Sequence, residues 1–210
     1  MTELSNLGKT LVALDEEKFI AMVHEQIARK ENPMDIIQEI NAGMVEVGSR
    51  FETGDCFISE LVMSGEMFKQ AMTYLSPLLG GDEQKTSRGI VVIGTVKDDI
   101  HDIGKNIVIT LLQGAGYHLV DLGVDVPAES FVKAVKDNGA KVVGLSALLS
   151  FTYPRMKEVV EALKGAGLRD KVTVIIGGAP CNEEVRRLVG ADYYANHAAT
   201  GVKICREIYG

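Results

Sequence analysis

Cysteine is scarce in this sequence of 210 residues, and no cysteine pattern accompanies a disulfide framework or a metal site. The three cysteines, Cys56, Cys181 and Cys205, are odd in number and widely spaced, and none forms a CxxC pair. This pattern fits a reducing cytoplasm, where structural disulfides are rare. The simplest interpretation of all three is that they are small buried hydrophobic side chains.

Long apolar runs and a surplus of basic residues are missing as well. No stretch of about 18 apolar residues occurs, which excludes a membrane span by the usual length criterion. Residues 1–17 lack the basic start and continuous apolar core of a secretory signal, so we expect a cytoplasmic protein. The net charge of -7 leaves no electrostatic footprint for nucleic acid.

The first 80 residues show a helical period throughout. The acidic residues 15–17 suit a helix N-terminus, and Asn32-Pro33 supplies a capping residue followed by proline at the first helical position. The segment at residues 53–55 interrupts the third stripe, and a fourth helix is predicted to begin near Asp55. The apolar stripes are Leu4, Leu7 and Leu11; Phe19, Val23 and Ile27; Ile37, Ile40, Met44, Val47 and Phe51; and Leu61, Gly65, Phe68, Met72, Leu75 and Leu79. Four amphipathic helices predict a compact four-helix bundle over residues 1–80.

The remainder alternates between β-branched apolar strands and helices. A polar, glycine-punctuated linker is predicted at residues 81–87. Strands are predicted at residues 89–96, 118–122, 141–149, 171–176 and 192–194, and helices at 103–115, 127–138, 153–166, 181–189 and 198–208. Residues 88–210 are therefore predicted to form a doubly wound α/β domain around a parallel five-stranded sheet of the Rossmann or flavodoxin-like kind. Ligands of such sheets bind beyond the carboxyl ends of the strands.

The loop after the first predicted strand, residues 97–106, is unusually rich in chemistry. The glycine-rich GxGxxG and GxxxxGK[ST] patterns are both absent, and three aspartates would repel a phosphate. Asp99, if it accepts one imidazole N–H of His101, would fix the tautomer and raise the basicity of the other ring nitrogen, as is common behind a metal-ligating histidine. From these residues alone two interpretations stay open. His101 is either a metal ligand or base, or a surface histidine capped by a neighbouring acid.

Three elements carry a family resemblance, in this order along the chain: Asp99-x-His101-x-x-Gly104, Ser146-x-Leu148 and Gly177-Gly178. Each follows a predicted strand, with 41 residues between the first and second elements and 28 between the second and third. Together they resemble the signature of base-off, His-on cobalamin-binding domains such as that of methionine synthase. A single DxHxxG motif would be weak evidence, whereas three ordered elements are specific.

The N-terminal half shares in the resemblance. Its motif residues are Gly43-Met44, Val47-Gly48, Phe51, Gly54 and Phe57. They are similar to the helical cap of corrinoid proteins in methanol, methylamine and aryl-ether methyltransferase systems. The resemblance therefore spans nearly the whole chain and implies a helical cap followed by a corrinoid-binding domain.

The resemblance implies catalytic roles for His101, Asp99 and Thr152. His101 would replace the cofactor's own lower base and ligate cobalt, Asp99 would hydrogen-bond the far imidazole nitrogen, and the Thr152 hydroxyl would extend that relay. Cobalt in this chemistry alternates between methyl-Co(III), which needs an axial donor, and Co(I), which loses its axial ligands. Proton uptake by the pair of Asp99 and His101 would ease release of the ligand.

The resemblance also implies a slot for the displaced lower nucleotide. Ser146 and Leu148 would form its mouth, and Gly177-Gly178 would let the tail run close to the backbone. A simple strand-ending turn is the alternative interpretation of that glycine pair. Gly104 would permit close approach at the start of its helix.

Further residues are expected to contact the cofactor. Phe57 would belong to the cap surface that shields the methyl face, with packing inside the bundle as the alternative. Ala198 stands where the family has a small residue, although its neighbour His197 departs from the aspartate often seen there. The remaining members of the cofactor-binding set are Asp98, Asp102 and Ser150.

The function implied by the resemblance is that of a methyl carrier loaded with a cobamide. Such a protein accepts a methyl group on Co(I) from a substrate-specific methyltransferase. It delivers the group from methyl-Co(III) to a second methyltransferase, with a thiol or tetrahydrofolate as acceptor, and a reductive activase is left as an open third partner. No triad, acid/base pair or substrate pocket independent of the corrinoid is evident, so the chain is better regarded as a cofactor-bearing subunit than as a complete enzyme.

Two alternatives belong to other classes. The first is the cobalamin subunit of an adenosylcobalamin mutase, which shares the Asp-x-His-x-x-Gly motif but does not usually carry this cap. The second is a cobalamin-based light sensor or transcription regulator, which adds a DNA-binding segment and a cap tryptophan. The sequence has no tryptophan and no basic region, which argues against the second alternative.

Overall fold

The computed structural model describes residues 4–79 and 87–210, and within them it contains nine α-helices and one five-stranded sheet. The helices are α1 (Asn6–Val12), α2 (Glu16–Ala28), α3 (Pro33–Thr53), α4 (Ile58–Leu75), α5 (Ile103–Gly114), α6 (Ala128–Asn138), α7 (Tyr153–Gly165), α8 (Glu183–Val189) and α9 (Ala198–Tyr209). The strands are β1 (Ile90–Thr95), β2 (His118–Asp121), β3 (Val142–Ser146), β4 (Thr173–Gly177) and β5 (Tyr193–Ala195). The predicted order of helices followed by an α/β domain is confirmed.

Side chains cap the first three helices, and for α2 and α3 the sequence signals predicted these starts. Ser5 accepts a hydrogen bond from the backbone of Gly8, and Asp15 accepts one from Lys18. Asn32 caps α3 through Met34, and proline follows it at the first helical turn. The apolar stripes of α1–α4 meet in one core, whose buried members are Leu7, Leu11, Phe19, Val23, Ile36, Ile37, Ile40, Met44, Met67, Phe68, Ala71 and Leu75. Nine of these twelve residues belong to the predicted stripes, and Ile36, Met67 and Ala71 are core residues that the stripes did not include.

The fourth helix begins three residues later than predicted, at Ile58 instead of Asp55. The Glu60 side chain accepts a hydrogen bond from the backbone N–H of Phe57 at 2.7 Å, which satisfies a donor at the start of α4. Gly54 ends α3 in the left-handed conformation, with a φ of 81°. The segment between the two helices is therefore a short turn that presents Phe57.

The five strands are all parallel and lie in the order β2-β1-β3-β4-β5. Strand order reverses direction between β1 and β3, so the loops that follow these two strands leave the sheet side by side, at the position where doubly wound sheets bind ligands. Thr95 pairs with Ser146 and Ser146 with Gly177, which sets the ends of three adjacent strands at one level. The doubly wound parallel fold is confirmed.

The last helix, α9, contacts the sheet at the amino ends of its strands. The Tyr209 hydroxyl donates a hydrogen bond to the backbone carbonyl of Ile90 and accepts one from the backbone N–H of Lys141 at 3.0 Å. Its ring lies over Gly89, where any Cβ would be 2.3 Å from the ring. One side chain of α9 thereby joins the starts of β1 and β3.

The chain forms two compact units, one reaching to Ser87 together with Thr110–Gly116, and the other made of Arg88–Ile109 and Tyr117–Gly210. The first unit contains the four-helix core and the second contains the sheet. Most of the predicted linker, residues 81–86, lies outside the described residues. In residues 4–79 and 87–210, no helix has the length and apolar character to span a membrane.

Candidate functional site

The imidazole of His101 is held from behind by a buried carboxylate. Asp99 Oδ1 lies 2.8 Å from His101 Nδ1 and accepts the His101 backbone N–H at 3.0 Å. The Asp99 side chain is fully buried, whereas 45% of the His101 side chain is exposed. Because an ionised carboxylate can only accept, Nδ1 carries a proton, and the tautomer whose single proton is on Nδ1 presents a lone pair on Nε2. The hydrogen bond predicted between these two residues is present.

The second oxygen of Asp99 is bound by the loop after β3. Asp99 Oδ2 accepts the backbone N–H groups of Leu148 at 2.8 Å and Leu149 at 3.1 Å, and the Thr152 hydroxyl lies 3.3 Å away. Burial alone would raise the pKa of Asp99. The hydrogen bonds from His101 and from the two leucine amides outweigh burial and lower this pKa to about 2. Asp99 is therefore an anion at neutral pH although its side chain has no exposed surface.

Thr152 is fully buried and has two acceptors for a single proton. Its hydroxyl oxygen lies 2.6 Å from the Leu149 carbonyl oxygen and 3.3 Å from Asp99 Oδ2. While Asp99 is ionised, the shorter hydrogen bond is the stronger one, so the Thr152 hydroxyl donates its proton to the Leu149 carbonyl. A protonated Asp99 could instead donate to the Thr152 oxygen while Thr152 donates to Leu149. The arrangement thus supports a hydrogen-bonded chain that runs from His101 through Asp99 and Thr152 to a backbone carbonyl.

Two aspartates in left-handed conformations shape the loop that carries His101. Asp98 has a φ of 66° and Asp125, in the loop after β2, has a φ of 53°. Asp125 accepts the Asp98 backbone N–H at 2.8 Å through its side chain and donates its own N–H to the Asp99 carbonyl at 2.9 Å. Aspartate is among the few residue types that adopt this conformation readily. Sequence reasoning missed the role of Asp125, since no spacing rule connects it to Asp98.

The Asp98 carboxylate is engaged away from the histidine. Its Oδ2 atom accepts a hydrogen bond from Arg155 Nε at 2.8 Å, and the same guanidinium binds Glu158. Asp102 accepts a hydrogen bond from the Asn106 side chain at 3.1 Å, within its own helix start. Both residues were predicted to bind cofactor, and in the structure both carboxylates have protein partners. Their contact with a cofactor stays a prediction.

The three glycines of the predicted signature are subject to different physical constraints. Gly178 has a φ of 127°, and a Cβ there would lie 1.9 Å from the Ala147 carbonyl oxygen, so the fold itself requires glycine. Gly177 ends β4 with its nearest Cβ contact at 3.5 Å, to the Ala195 carbonyl oxygen. At Gly104 a Cβ would meet nothing within 4 Å. The protein therefore leaves Gly104 unconstrained, and a bound ligand would be the reason for its small size.

The remaining predicted residues lie at two places. Ser146, Ser150 and Ala198 lie at the carboxyl edge of the sheet, at the end of β3, in the turn that follows it and at the start of α9. Phe57 lies in the helical unit and is 77% exposed, so packing inside the bundle does not explain its side chain.

Large apolar side chains are exposed on the loops around His101. Ile100 is 73% exposed, Ile103 71% and Phe151 68%, and Leu148 on the neighbouring loop is 41% exposed. Exposed apolar side chains grouped in this way indicate a surface that binds a ligand or a partner. The exposed imidazole nitrogen therefore lies among apolar groups that favour a broad, largely apolar ligand.

Comparison with known proteins decides which family has this arrangement. The family model described as B12 binding domain matches residues 89–203, which is more than half of the chain, and a second model of the same description matches residues 4–76. The chain belongs to the B12-binding family. The resemblance inferred from the three motif elements is thereby confirmed, and the second match lies in the helical unit where a cap was expected.

Relatives of this B12-binding chain share nearly its full length. The dimethylamine corrinoid protein of Methanosarcina barkeri is 37% identical over 206 residues, which is 98% of this chain and 96% of the relative. A crystal structure of a cobalamin-binding protein from Desulfitobacterium hafniense has 38% identity and a TM-score of 0.76, with all of both chains covered. A chain of the methanol:cobalamin methyltransferase complex from Methanosarcina barkeri has 29% identity and a TM-score of 0.88, covering 97% of this chain and 78% of that one.

The residues around His101 fit a cobamide. Within residues 4–79 and 87–210, no group of three or more His, Cys, Asp or Glu side chains could hold a metal ion. A single protein donor is what a metal needs when a macrocycle supplies its equatorial ligands, and the Nε2 atom of His101 would be such a donor. The apolar loop residues and the open space at Gly104 match the body of the same ligand.

Proposed function

We propose that this B12-binding protein is a methyl carrier that works between methyltransferases. One observation carries the proposal: a half-exposed imidazole has its Nδ1 atom bound by a buried, ionised carboxylate, so that Nε2 is free to act as a metal ligand. The relatives named as corrinoid proteins, and the solved methanol:cobalamin methyltransferase complex, support the same function. The chain would be a cofactor-bearing subunit of a methyltransferase system.

In this proposal His101 binds a cobamide in the base-off, His-on form. A bound cobamide supplies a cobalt ion that holds and releases a methyl group. Asp99 keeps the proton of the imidazole on Nδ1 and leaves Nε2 available as the lower axial donor. Thr152 could accept a hydrogen bond from Asp99 Oδ2 when that carboxyl is protonated, which would link the strength of the axial donor to protonation of the pair.

The other predicted contacts follow the carboxyl edge of the sheet. Ser146 and Leu148 would line the mouth of a slot for the displaced nucleotide, and Gly177 and Gly178 would line its inner end. The remaining proposed contacts are Asp98, Asp102, Gly104, Ser150, Ala198 and Phe57. Support comes from the register of the strand ends and, for Phe57, from its exposure. We also propose the division into a cap at residues 1–80, a linker at 81–87 and a corrinoid domain at 88–210.

The proposed partners are a substrate-specific corrinoid methyltransferase, and a second methyltransferase that passes the methyl group to a thiol or to tetrahydrofolate. A reductive activase is a third proposed partner. The first partner is supported by the solved relative that lies in a methyltransferase complex. The alternative of an adenosylcobalamin mutase subunit gains no support, because a B12-binding match extends over residues 4–76, where a cap was expected.

Spectroscopy of the reconstituted protein tests the axial ligand. The chain is labelled with ¹⁵N-histidine, loaded with cobalamin and reduced to the Co(II) form, and its EPR spectrum is recorded. A labelled histidine ligand splits the lines into two, whereas the unlabelled base of the cofactor splits them into three. We expect the two-line splitting, and His101→Ala should remove it. The control is His118→Ala, which should keep the splitting. His118 is the first residue of β2 and therefore lies at the amino ends of the strands, away from the loop that carries His101. A three-line splitting in the wild type, or a two-line splitting that persists in His101→Ala, would show that another group is the ligand.

A transfer assay tests the carrier function. Protein loaded with methylcobalamin is mixed with a thiol and a candidate methyltransferase, and the methylated thiol is measured. Delivery of the methyl group that requires both proteins supports the carrier. Turnover that occurs only with adenosylcobalamin, and yields a rearranged carbon skeleton, would favour the mutase.

A further inference from the structure

Two polar contacts hold His101 through a single atom. Its backbone N–H and its ring Nδ1 both bind Asp99 Oδ1, at 3.0 Å and 2.8 Å. Contacts that converge on one oxygen form a pivot, because the residue can still turn about that atom. Asp99 therefore sets the tautomer of the imidazole without fully fixing the direction in which Nε2 points.

A third contact, away from that pivot, comes from Thr95. The Thr95 hydroxyl donates a hydrogen bond to the backbone carbonyl of His101 at 2.9 Å. The N–H and the carbonyl of a residue belong to the two peptide planes on either side of its Cα. Asp99 holds the first plane and Thr95 holds the second, so both backbone torsions of His101 are restrained, and with them the direction of its Cα–Cβ bond.

Thr95 itself is firmly placed. It is fully buried at the last position of β1. Its backbone N–H donates to the Gly123 carbonyl at 3.0 Å, and its own carbonyl accepts from the Val126 N–H at 3.0 Å. All three of its polar groups are therefore engaged, and its hydroxyl oxygen is fixed by the sheet and by the loop after β2. A donor of this kind can transmit the rigidity of the strand to the loop that carries His101.

We propose that Thr95 is a positioning residue for the axial imidazole, acting through the His101 carbonyl. The inference rests on the proposed role of His101 as the lower ligand of a cobamide. It assigns a task to a strand residue that lies outside the DxHxxG motif and needs no contact with the cofactor. Loss of the Thr95 hydroxyl should widen the range of imidazole orientations while leaving the fold and the tautomer intact.

The test compares Thr95→Val with Thr95→Ser. Valine keeps the shape and removes the donor, whereas serine keeps the donor. In the Co(II) form we expect Thr95→Val to lose part of the nitrogen-split EPR signal and to bind cobalamin roughly three- to tenfold more weakly, the range for one lost hydrogen bond. Thr95→Ser should restore the wild-type spectrum and affinity. A merely structural role would not separate the two variants in the spectrum.

Thr10→Val is the matched control. Thr10 is buried in α1, and its hydroxyl donates to the Asn6 carbonyl at 2.8 Å, so the substitution removes the same kind of hydrogen bond in the other unit. Urea unfolding of the cofactor-free proteins measures the stability loss of each variant. Thr10→Val should lose stability without any change in the EPR splitting.

Each outcome decides one question. A spectrum of Thr95→Val equal to that of wild type overturns the proposal for Thr95 and leaves the ligation by His101 standing. Splitting that is absent in wild type, or kept in His101→Ala, refutes the proposed ligand whatever Thr95 does. If Thr95→Val does not fold, Thr95→Cys replaces it, since a thiol is a weak donor of similar size. A Thr95→Cys spectrum equal to that of Thr95→Ser would then overturn the proposal.

Discussion

Asp99→Asn is the most informative substitution, because it keeps the shape of the side chain and changes only its donors and acceptors. The carboxylate accepts hydrogen bonds at both oxygens, from His101 on one side and from Leu148 and Leu149 on the other. Asparagine must place an NH₂ group on one of these sides. In either orientation, the NH₂ group of asparagine faces at least one backbone N–H group, and both groups are donors.

The geometry decides which orientation is less unfavourable. An NH₂ group at the Oδ2 position leaves the N–H groups of Leu148 and Leu149 unpaired, at about 1–3 kcal/mol each. An NH₂ group at the Oδ1 position leaves only the His101 N–H unpaired, so this orientation is the more stable one. The free energy of unfolding should then fall by about 1–3 kcal/mol. In this orientation the amide donates to Nδ1, which moves the proton of the neutral imidazole to Nε2. The protein should fold and yet lose its axial ligand.

Urea unfolding and Co(II) EPR measure the two effects separately. Asp137→Asn is the control, because Asp137 pairs with Lys133 on the exposed face of α6 and its loss should change the free energy of unfolding by less than about 0.5 kcal/mol. Asp99→Asn should lose about 1–3 kcal/mol and most of its nitrogen splitting. A variant with wild-type stability and full splitting would refute the reasoning about donors and tautomer.

Three further predictions follow from described contacts. Because the pKa of Asp99 is lowered to about 2, its carboxylate stabilises the cofactor-free fold at pH values above about 4, by on the order of 2 kcal/mol, and this contribution is lost as the pH falls through about 2. In urea unfolding, the difference in the free energy of unfolding between wild type and Asp99→Asn should therefore become smaller from pH 5 to pH 2.5. A difference that stays constant over this range would contradict the prediction. Gly178→Ala should lose more than about 2 kcal/mol through its clash with Ala147, whereas Gly104→Ala should unfold like wild type and weaken only cobalamin binding. Tyr209→Phe removes the hydroxyl that joins the starts of β1 and β3 and should lower the free energy of unfolding by about 1–3 kcal/mol, measured by thermal unfolding; an unchanged midpoint would show that water replaces the hydroxyl.

Local signals in the sequence were sufficient to predict which helices and strands form and in which order. The helical period of residues 4–79 identified the core of the bundle, because each helix buries one stripe whatever its neighbours are. Caps at Asp15 and Asn32 act within three residues, so these two helix starts were predicted from the sequence, whereas the Ser5 cap was found only in the structure. The start of α4 was placed three residues too early, near Asp55, because the contact that defines it is between the Glu60 side chain and the backbone of Phe57.

By itself, the sequence determined the family, the alternation that makes the sheet parallel, and the pairing of Asp99 with His101, which are only two residues apart. The tertiary structure decided what holds that pair. Leu148 and Leu149 bind Asp99 through backbone amides, which any residue type provides, and they come from about 50 residues away because the strand order sets β3 beside β1. Contacts made by backbone groups across a sheet leave no mark on side-chain identity, and for that reason they become visible only in the fold.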